Sequence, residues 1–410
     1  MYNTIFFVII AIIVLDFLFE RILDYLNSTR WSQDVPVPLR GVYNAEQYRK
    51  SQNYYRENLH FGYLTSSFSF LLILLMLIFG GFALVNEWAF NMTSNTILAA
   101  LVFFAILGLG MDVLTTPFAL YDTFVIEEKY GFNKSTLALF FTDKLKGWLL
   151  SAVLGGGLMA LIIWFYQATG KWFWILAWGL VTVFLVFMTV FYSTLIVPIF
   201  NKQTPLEQGT LREQIHHLCK KVGFKLDDVY IIDGSKRSTK ANAYFSGLGR
   251  KKRIVLFDTL VEDLTTEEIV AVLAHEIGHY RKKHTLTGII LSVLQVGLTL
   301  FVLSLFIKDP ALSEALGVSE PFFHVGLVAF GILYAPISTI LGLGMNMVSR
   351  RHEFEADAFA RRYYDGRHLA SGLKKLSVKN LSNLNPHPLY VFFHYSHPPL
   401  LERLKRLEQD

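Results

Sequence analysis

The sequence predicts a polytopic α-helical membrane protein, with seven transmembrane helices carrying a small α+β domain outside the lipid. Three observations lead there. The 410-residue chain is 53% hydrophobic and 15% aromatic but only 17% charged, too apolar for an ordinary water-soluble protein. Seven stretches are apolar over a length that crosses a bilayer. Between the fifth and the sixth lies a mixed, polar segment that reads as short strands and helices folding in water.

The spans are expected near 4–22, 62–85, 96–118, 148–168, 172–199, 285–307 and 322–348. The first has no basic region before it and no small-residue cleavage site, so it reads as a retained span and not a signal peptide. Asp16, Glu20 and Arg21 at its lower end imply a protein-facing or interfacial position. Basic residues then fix the expected orientation. Loops after the first, third and fifth spans carry Arg30, Arg40, Arg49 and Lys50, then Lys129, Lys134, Lys144 and Lys146, then many Lys and Arg between 202 and 283; the other loops carry only Lys171 and Lys308. By the positive-inside rule the N-terminus lies outside and the basic loops and C-terminal tail face the cytoplasm. The net charge of +5 is thereby explained by membrane orientation, and nucleic acid is not expected as a partner. Four parts follow: residues 1–199 with five spans, 200–284 outside the lipid, 285–348 with the last two spans, and a helical 349–410.

Within 200–284, the run from Leu211 reads as an amphipathic helix ending near Gly223, and Asp228–Ile232 and Arg253–Phe257 read as strands. Ala241–Phe245 is a candidate edge strand followed by a turn at Ser246–Gly249. Its pattern fits an edge open to an extended peptide and fits equally a plain hairpin with a polar tip. The single cysteine, Cys219, excludes an internal disulfide framework and a thiolate-rich metal site. In the run Ile215–Cys219 it reads as part of a packed helix face.

At the end of this segment stands His275-Glu276-Ile277-Gly278-His279, an H-E-x-x-H zinc pattern. Residues four apart share a helix face, so His275 and His279 can converge on one ion, and Glu276 falls beside it as a general base. Thr265-Thr266-Glu267-Glu268 is a helix start, and Ile269–Ala274 is the apolar run leading into the site. Two histidines need a third protein ligand. After the last span, Glu353 and Asp357 are four apart on a helical stretch and are candidates for that ligand and for the carboxylate that orients a ligand imidazole. The same stretch also fits a solvated acidic face with i to i+4 pairs, as Glu355, Arg350, Arg351, Arg361 and Arg362 do. Thr285 occupies the position where a three-histidine site of this type would place its third ligand. His284 misses that register and reads as structural or interfacial.

Several longer runs resemble one family. Leu120–Asn133 (LYDTFVIEEKYGFN), Asn242–Phe245 (NAYF), Lys252–Leu260 (KRIVLFDTL), Glu353–Asp357 (EFEAD) and His394–Arg403 (HYSHPPLLER) make the chain similar to the type I CAAX prenyl proteases, the Ste24-like integral-membrane zinc endopeptidases. That resemblance implies a gluzincin site with one Zn2+ per chain on His275, His279 and Glu353, Glu276 as base and Asp357 as orienter. It implies Asn242, Ala243 and Tyr244 on a substrate-binding edge strand, and His397 and Arg403 over the metal, helping to stabilise the oxyanion. It further implies an intramembrane chamber and a membrane-tethered peptide partner, of which a prenylated Cys-a-a-X tail is the leading candidate, in an endoplasmic reticulum membrane. In a bacterial inner membrane, clearance of damaged membrane proteins is the expectation. A transporter or scaffold with structural zinc is the reading from another class. It predicts ionisable residues through mid-membrane positions, where few besides Asp112 occur, and leaves Glu276 without a task.

Overall fold

The computed structural model describes residues 3–32, 34–37, 40, 43–226, 228–246 and 253–408. Among the described residues, five helical stretches are long and apolar enough to cross a membrane: Ala45–Ile78, Thr96–Tyr130, Leu137–Phe200, His284–Phe306 and Phe323–Tyr363. Large apolar side chains such as Val153, Val183 and Ile340 stand on their outer faces, 71%, 69% and 68% exposed. An apolar exterior of this extent matches hydrocarbon and not water. The chain is a polytopic helical membrane protein.

The expected spans map onto these stretches with instructive differences. Helix Thr4–Ser28 is long enough, but Asp16, Glu20 and Arg21 interrupt its apolar character. The stretch expected at 62–85 is not one helix: Ala45–Ile78 ends, Gly80 takes a left-handed φ of +69°, and Gly81–Met92 starts afresh. Glycine adopts that conformation without a Cβ clash, which is why the chain breaks there. The short helix buries Phe82, Val85 and Ala89 against Leu312, Leu316 and Val325. Leu137–Phe200 turns over at Gly170–Trp172, where Gly170 has φ +56°, and its two arms pack with Tyr166 edge-on to Phe173 at 5.4 Å. The stretches expected at 148–168 and 172–199 lie on either side of that turn. Phe323–Tyr363 runs unbroken past the expected end at 348, so Glu353 and Asp357 ride on the same rod as the membrane stretch.

Outside the lipid, β1 (Gln203–Pro205), β2 (Asp228–Ile232), β3 (Ala243–Ser246) and β4 (Arg253–Phe257) form one sheet in the order β1-β2-β4-β3. β2 and β4 are parallel and occupy the bounds that their apolar runs and flanking turn residues predict. β1 carries no such signal and pairs antiparallel with β2. β3 starts at Ala243, two residues later than expected, and among the described residues pairs with β4 alone, leaving its other edge free of them. Of the turn expected after it, 247–249 lie outside the described residues. Helix Thr210–Lys221 buries Ile215, Leu218 and Cys219 and ends before Gly223 at φ +61°.

Beneath the sheet lies the helix that carries the H-E-x-x-H pattern, Thr266–Arg281, hereafter the motif helix. Its start is a capping box: Thr265 Oγ1 accepts from Glu268 N at 3.4 Å, and the Glu268 carboxylate accepts from Thr265 N at 2.9 Å. Ile269, Val270, Leu273 and Ile277 are at most 2% exposed, and each contributes about 1.5–3 kcal/mol by leaving water. Glu268 is buried as well. It receives Lys375 Nζ at 2.8 Å and Ser371 Oγ at 2.6 Å, both from helix Gly366–Lys379, so one carboxylate caps the motif helix and ties it to its neighbour.

Burial alone would raise the Glu268 pKa, but the bonds from Lys375, Ser371 and Thr265 prevail and hold it below the ordinary carboxylate value. Its stabilisation is therefore present above the unfolded pKa and lost as the pH falls through the lowered folded one. Glu268→Gln is expected to cost about 2 kcal/mol at neutral pH. The unfolding midpoint in detergent should drop at pH 7, with the difference from wild type shrinking in acid.

Candidate metal centre

Two helices build the site, and a glycine lets them meet. A Cβ at Gly278 would lie 3.1 Å from Ala356 Cα, 3.1 Å from Phe359 Cβ and 3.2 Å from Ala356 O, so a larger residue would require the motif helix and Phe323–Tyr363 to shift apart by a few tenths of an ångström. That crossing brings Glu353 to the histidines. Its Oε1 is 3.1 Å from His279 Nε2, its Oε2 is 3.4 Å from His275 Nε2, and the two Nε2 atoms are 3.1 Å apart. The three donors lie within 4.8 Å of one another. Glu353 Oε2 is buried and makes ion-pair contacts, Arg403 Nη1 at 3.3 Å and His275 Nε2 at 3.4 Å, but no well-formed hydrogen bond, so it keeps a lone pair for a metal ion. The residues fit a divalent metal ion.

Behind His275, Asp357 Oδ1 is 2.9 Å from Nδ1. Arg403 grips Asp357 with two bonds, Nε to Oδ2 at 2.9 Å and Nη2 to Oδ1 at 2.6 Å, and its Nη1 is 3.3 Å from Glu353 Oε2. Its whole fork faces these two carboxylates. His397 is different: Nε2 lies 3.4 Å from Glu353 Oε1, and the side chain is 65% exposed. Burial would depress the His275 pKa, but the Asp357 and Glu353 carboxylates outweigh it and raise it to about 9. Without a cation this imidazole is held protonated at neutral pH, and a cation must displace that proton.

Glu276 and His397 open onto a cavity of about 460 Å³ whose walls include Ala243, His279, His284 and His352. Ala243 brings the free edge of β3 to it. The neighbouring predicted residues do not reach it: Asn242 precedes the strand and its carbonyl accepts from Phe257 N at 3.1 Å, while Tyr244 packs toward Val197, Val255 and Phe257. The segment leading into β3 is clamped to the membrane part. Lys240 Nζ donates to Glu127 Oε2 at 2.8 Å and to Tyr54 Oη at 3.0 Å, and Arg237 makes two bonds to Asp143 at 2.7 and 3.0 Å. This explains what Leu120–Asn133 does in the fold, a role that its sequence pattern did not carry.

His284, expected to be structural or interfacial, stands against the site. Only Lys282 and Lys283 separate the motif helix from His284–Phe306, and Lys283 makes the reversal in the left-handed region at φ +60°. A non-glycine residue there costs about 1–2 kcal/mol. The turn delivers His284 to within 3.0 Å of His279. A histidine five residues after a ligand is off the ligand face of a helix, and only the break in that helix makes the contact.

Residues 24–202 match a family model described as the CAAX prenyl protease N-terminal region with five membrane helices, and residues 205–410 match peptidase family M48. The chain is 37% identical to the CAAX prenyl protease 1 homolog of Oryza sativa subsp. japonica over 98% of this chain and 96% of that protein. It is 34% identical to CAAX prenyl protease 1 of Saccharomyces cerevisiae, over 96% and 93%. With the human CAAX prenyl protease 1 homolog the identity is 33%, over 91% and 88%. The crystal structure of S. mikatae Ste24p superposes with a TM-score of 0.94 at 33% identity, covering 100% of both chains.

Gly278→Val should push the two helices apart and abolish metal retention in the purified protein, measured by elemental analysis. Because His275 carries a proton below about pH 9, metal uptake should release about one proton at pH 7 and progressively less above pH 9. Calorimetry in buffers of different ionisation enthalpy reads that number, and affinity should rise with pH across the same range.

Proposed function

Since the chain belongs to peptidase family M48 and is a membrane metalloprotease, we propose that it is a zinc endopeptidase cutting membrane-tethered proteins near their C-termini, with prenylated Cys-a-a-X tails as the substrate class. The observation that carries this reading is the meeting of His275, His279 and Glu353 beside Glu276, in a cavity that reaches the free edge of β3. Two imidazoles and a carboxylate suit zinc and leave a position open for chemistry. Zinc bound there supplies Lewis acidity, lowering the pKa of water and polarising a carbonyl.

The chain's own groups do the rest. Glu276, at the wall of the cavity, accepts a proton from the attacking water and passes it to the departing amine. Asp357 accepts from His275 Nδ1 and so directs Nε2 to the metal. Arg403 is engaged by Asp357 and Glu353, so we assign it to holding those carboxylates in place. His397, exposed in the cavity with Nδ1 2.9 Å from Ser396 Oγ and Nε2 3.4 Å from Glu353 Oε1, is the donor we assign to the developing oxyanion. An extended peptide added to β3 would run along Ala243 and across the metal, with Asn242 and Tyr244 shaping the strand from its far side.

The membrane reading is completed in the same terms. The five apolar stretches, one of them a hairpin of two arms, together with Thr4–Ser28 make seven crossings. Residues 1–199 and 285–348 form the membrane part, and 200–284 with 349–410 form the gluzincin part. The basic loops support a cytoplasmic position for that part, and relatives from rice, yeast and human support an endoplasmic reticulum membrane.

Glu276→Gln should keep full metal content and lose at least about 10³-fold in turnover; Glu353→Ala should lose the metal. The purified enzyme should cut a farnesylated C-terminal peptide, spare it in the presence of a chelator, and cut the unfarnesylated peptide more slowly. Equal rates on the two peptides would remove the prenyl group from the substrate description, and an intact rate in Glu276→Gln would remove the base.

A further inference from the structure

His279 makes one contact that the reaction scheme leaves unused. Its Nε2 points at His275 and Glu353, so a neutral imidazole that gives Nε2 to a metal carries its proton on Nδ1. That Nδ1 faces His284 Nδ1 at 3.0 Å. Two nitrogens at this distance share one proton, so His284 Nδ1 is the acceptor and the proton of His284 lies on Nε2. Nε2 is 3.2 Å from Glu355 Oε2, an acceptor that satisfies it. Glu355 is held in turn by Arg351, whose Nε donates to Oε1 at 2.9 Å. The His284 ring is 6% exposed and lies flat on His352, with centroids 3.8 Å apart and planes 6° apart, which leaves it little freedom to rotate.

We propose that His284 is the positioning residue for His279, accepting from its Nδ1–H so that Nε2 is presented to the metal, with Glu355 and Arg351 fixing the tautomer of His284. The two histidines of the pattern are then supported by different chemistry: a carboxylate backed by Arg403 behind His275, an imidazole backed by a carboxylate behind His279. The inference rests on reading His279 as a metal ligand.

The test is zinc affinity of the detergent-purified full-length chain by chelator competition, alongside the unfolding midpoint of the metal-free protein. His284→Leu keeps bulk and removes the acceptor; affinity should fall about 10- to 100-fold with the metal-free midpoint unchanged. His284→Gln, whose amide oxygen can accept from Nδ1–H, should recover most of the loss, and Glu355→Gln should show a smaller one. With cobalt in place of zinc, the visible band of His284→Leu should shift from wild type. Wild-type affinity in His284→Leu overturns the proposal. So do equal losses in the Leu and Gln variants accompanied by a lower metal-free midpoint, which would make His284 a packing residue only. Glu353→Ala serves as the control. If that variant also retains the metal, the ligand set itself is wrong, a failure distinct from that of His284 alone.

Discussion

The approach of two helices at Gly278 is the contact on which the rest of the centre depends. His275 and His279 are presented by one helix and Glu353 by another, and the distances among their donors follow from how closely the backbones cross at Ala356. Hydrophobic burial around Ile269–Ala274 supplies the force that presses them together. Packing of this density transmits displacement instead of absorbing it, so the donor geometry is set by backbone contact before any ion arrives. The residual tension is electrostatic. A buried carboxylate beside two imidazoles, one of them held protonated by its carboxylate neighbours, is a donor set in which a metal ion takes the place of a proton.

Much of this is legible in the chain because it rests on short-range rules. Helical spacing pairs His275 with His279 and Glu353 with Asp357, and the capping box at Thr265 marks where the motif helix begins. Short runs of β-branched and aromatic residues, bounded by Asp233–Ser235 and by Asp258, delimit β2 and β4. What sequence reading misses has a different physical origin. β1 is three residues long and owes its existence to β2, not to its own pattern. The helix break at Gly80 lies inside continuous apolar sequence, where hydropathy alone sees one span. His284 escapes because its contact depends on a left-handed Lys283, and lysine carries no signal for that conformation. Arg403 reads as a group over the metal, and only the positions of Asp357 and Glu353 show that its fork is already engaged.

The membrane part and the sheet are joined by polar contacts chosen for direction. Lys240 reaches Glu127 and Tyr54, and Arg237 clasps Asp143, just before β3 begins. A strand whose outer edge lacks a pairing partner gains little rigidity from the sheet on that side. Anchoring its approach to the helix ends substitutes for the missing neighbour. The edge can then stay open to a peptide backbone without collapsing onto it.

The continuity of Phe323–Tyr363 has a wider consequence. Glu353 is joined to a membrane helix by no linker, and the histidines are joined to the next membrane helix by Lys282 and Lys283 alone. There is no slack between bilayer and metal. At 1.5 Å per residue, the helix from Phe323 to Glu353 is about 45 Å long and continuous, with one backbone hydrogen bond removed at Pro336. The protein is in this sense a ruler whose zero mark is the lipid. On the function proposed above, a chain anchored in the same bilayer would meet the blade at one distance from its anchor, and place of cleavage would be a property of length as much as of side-chain chemistry.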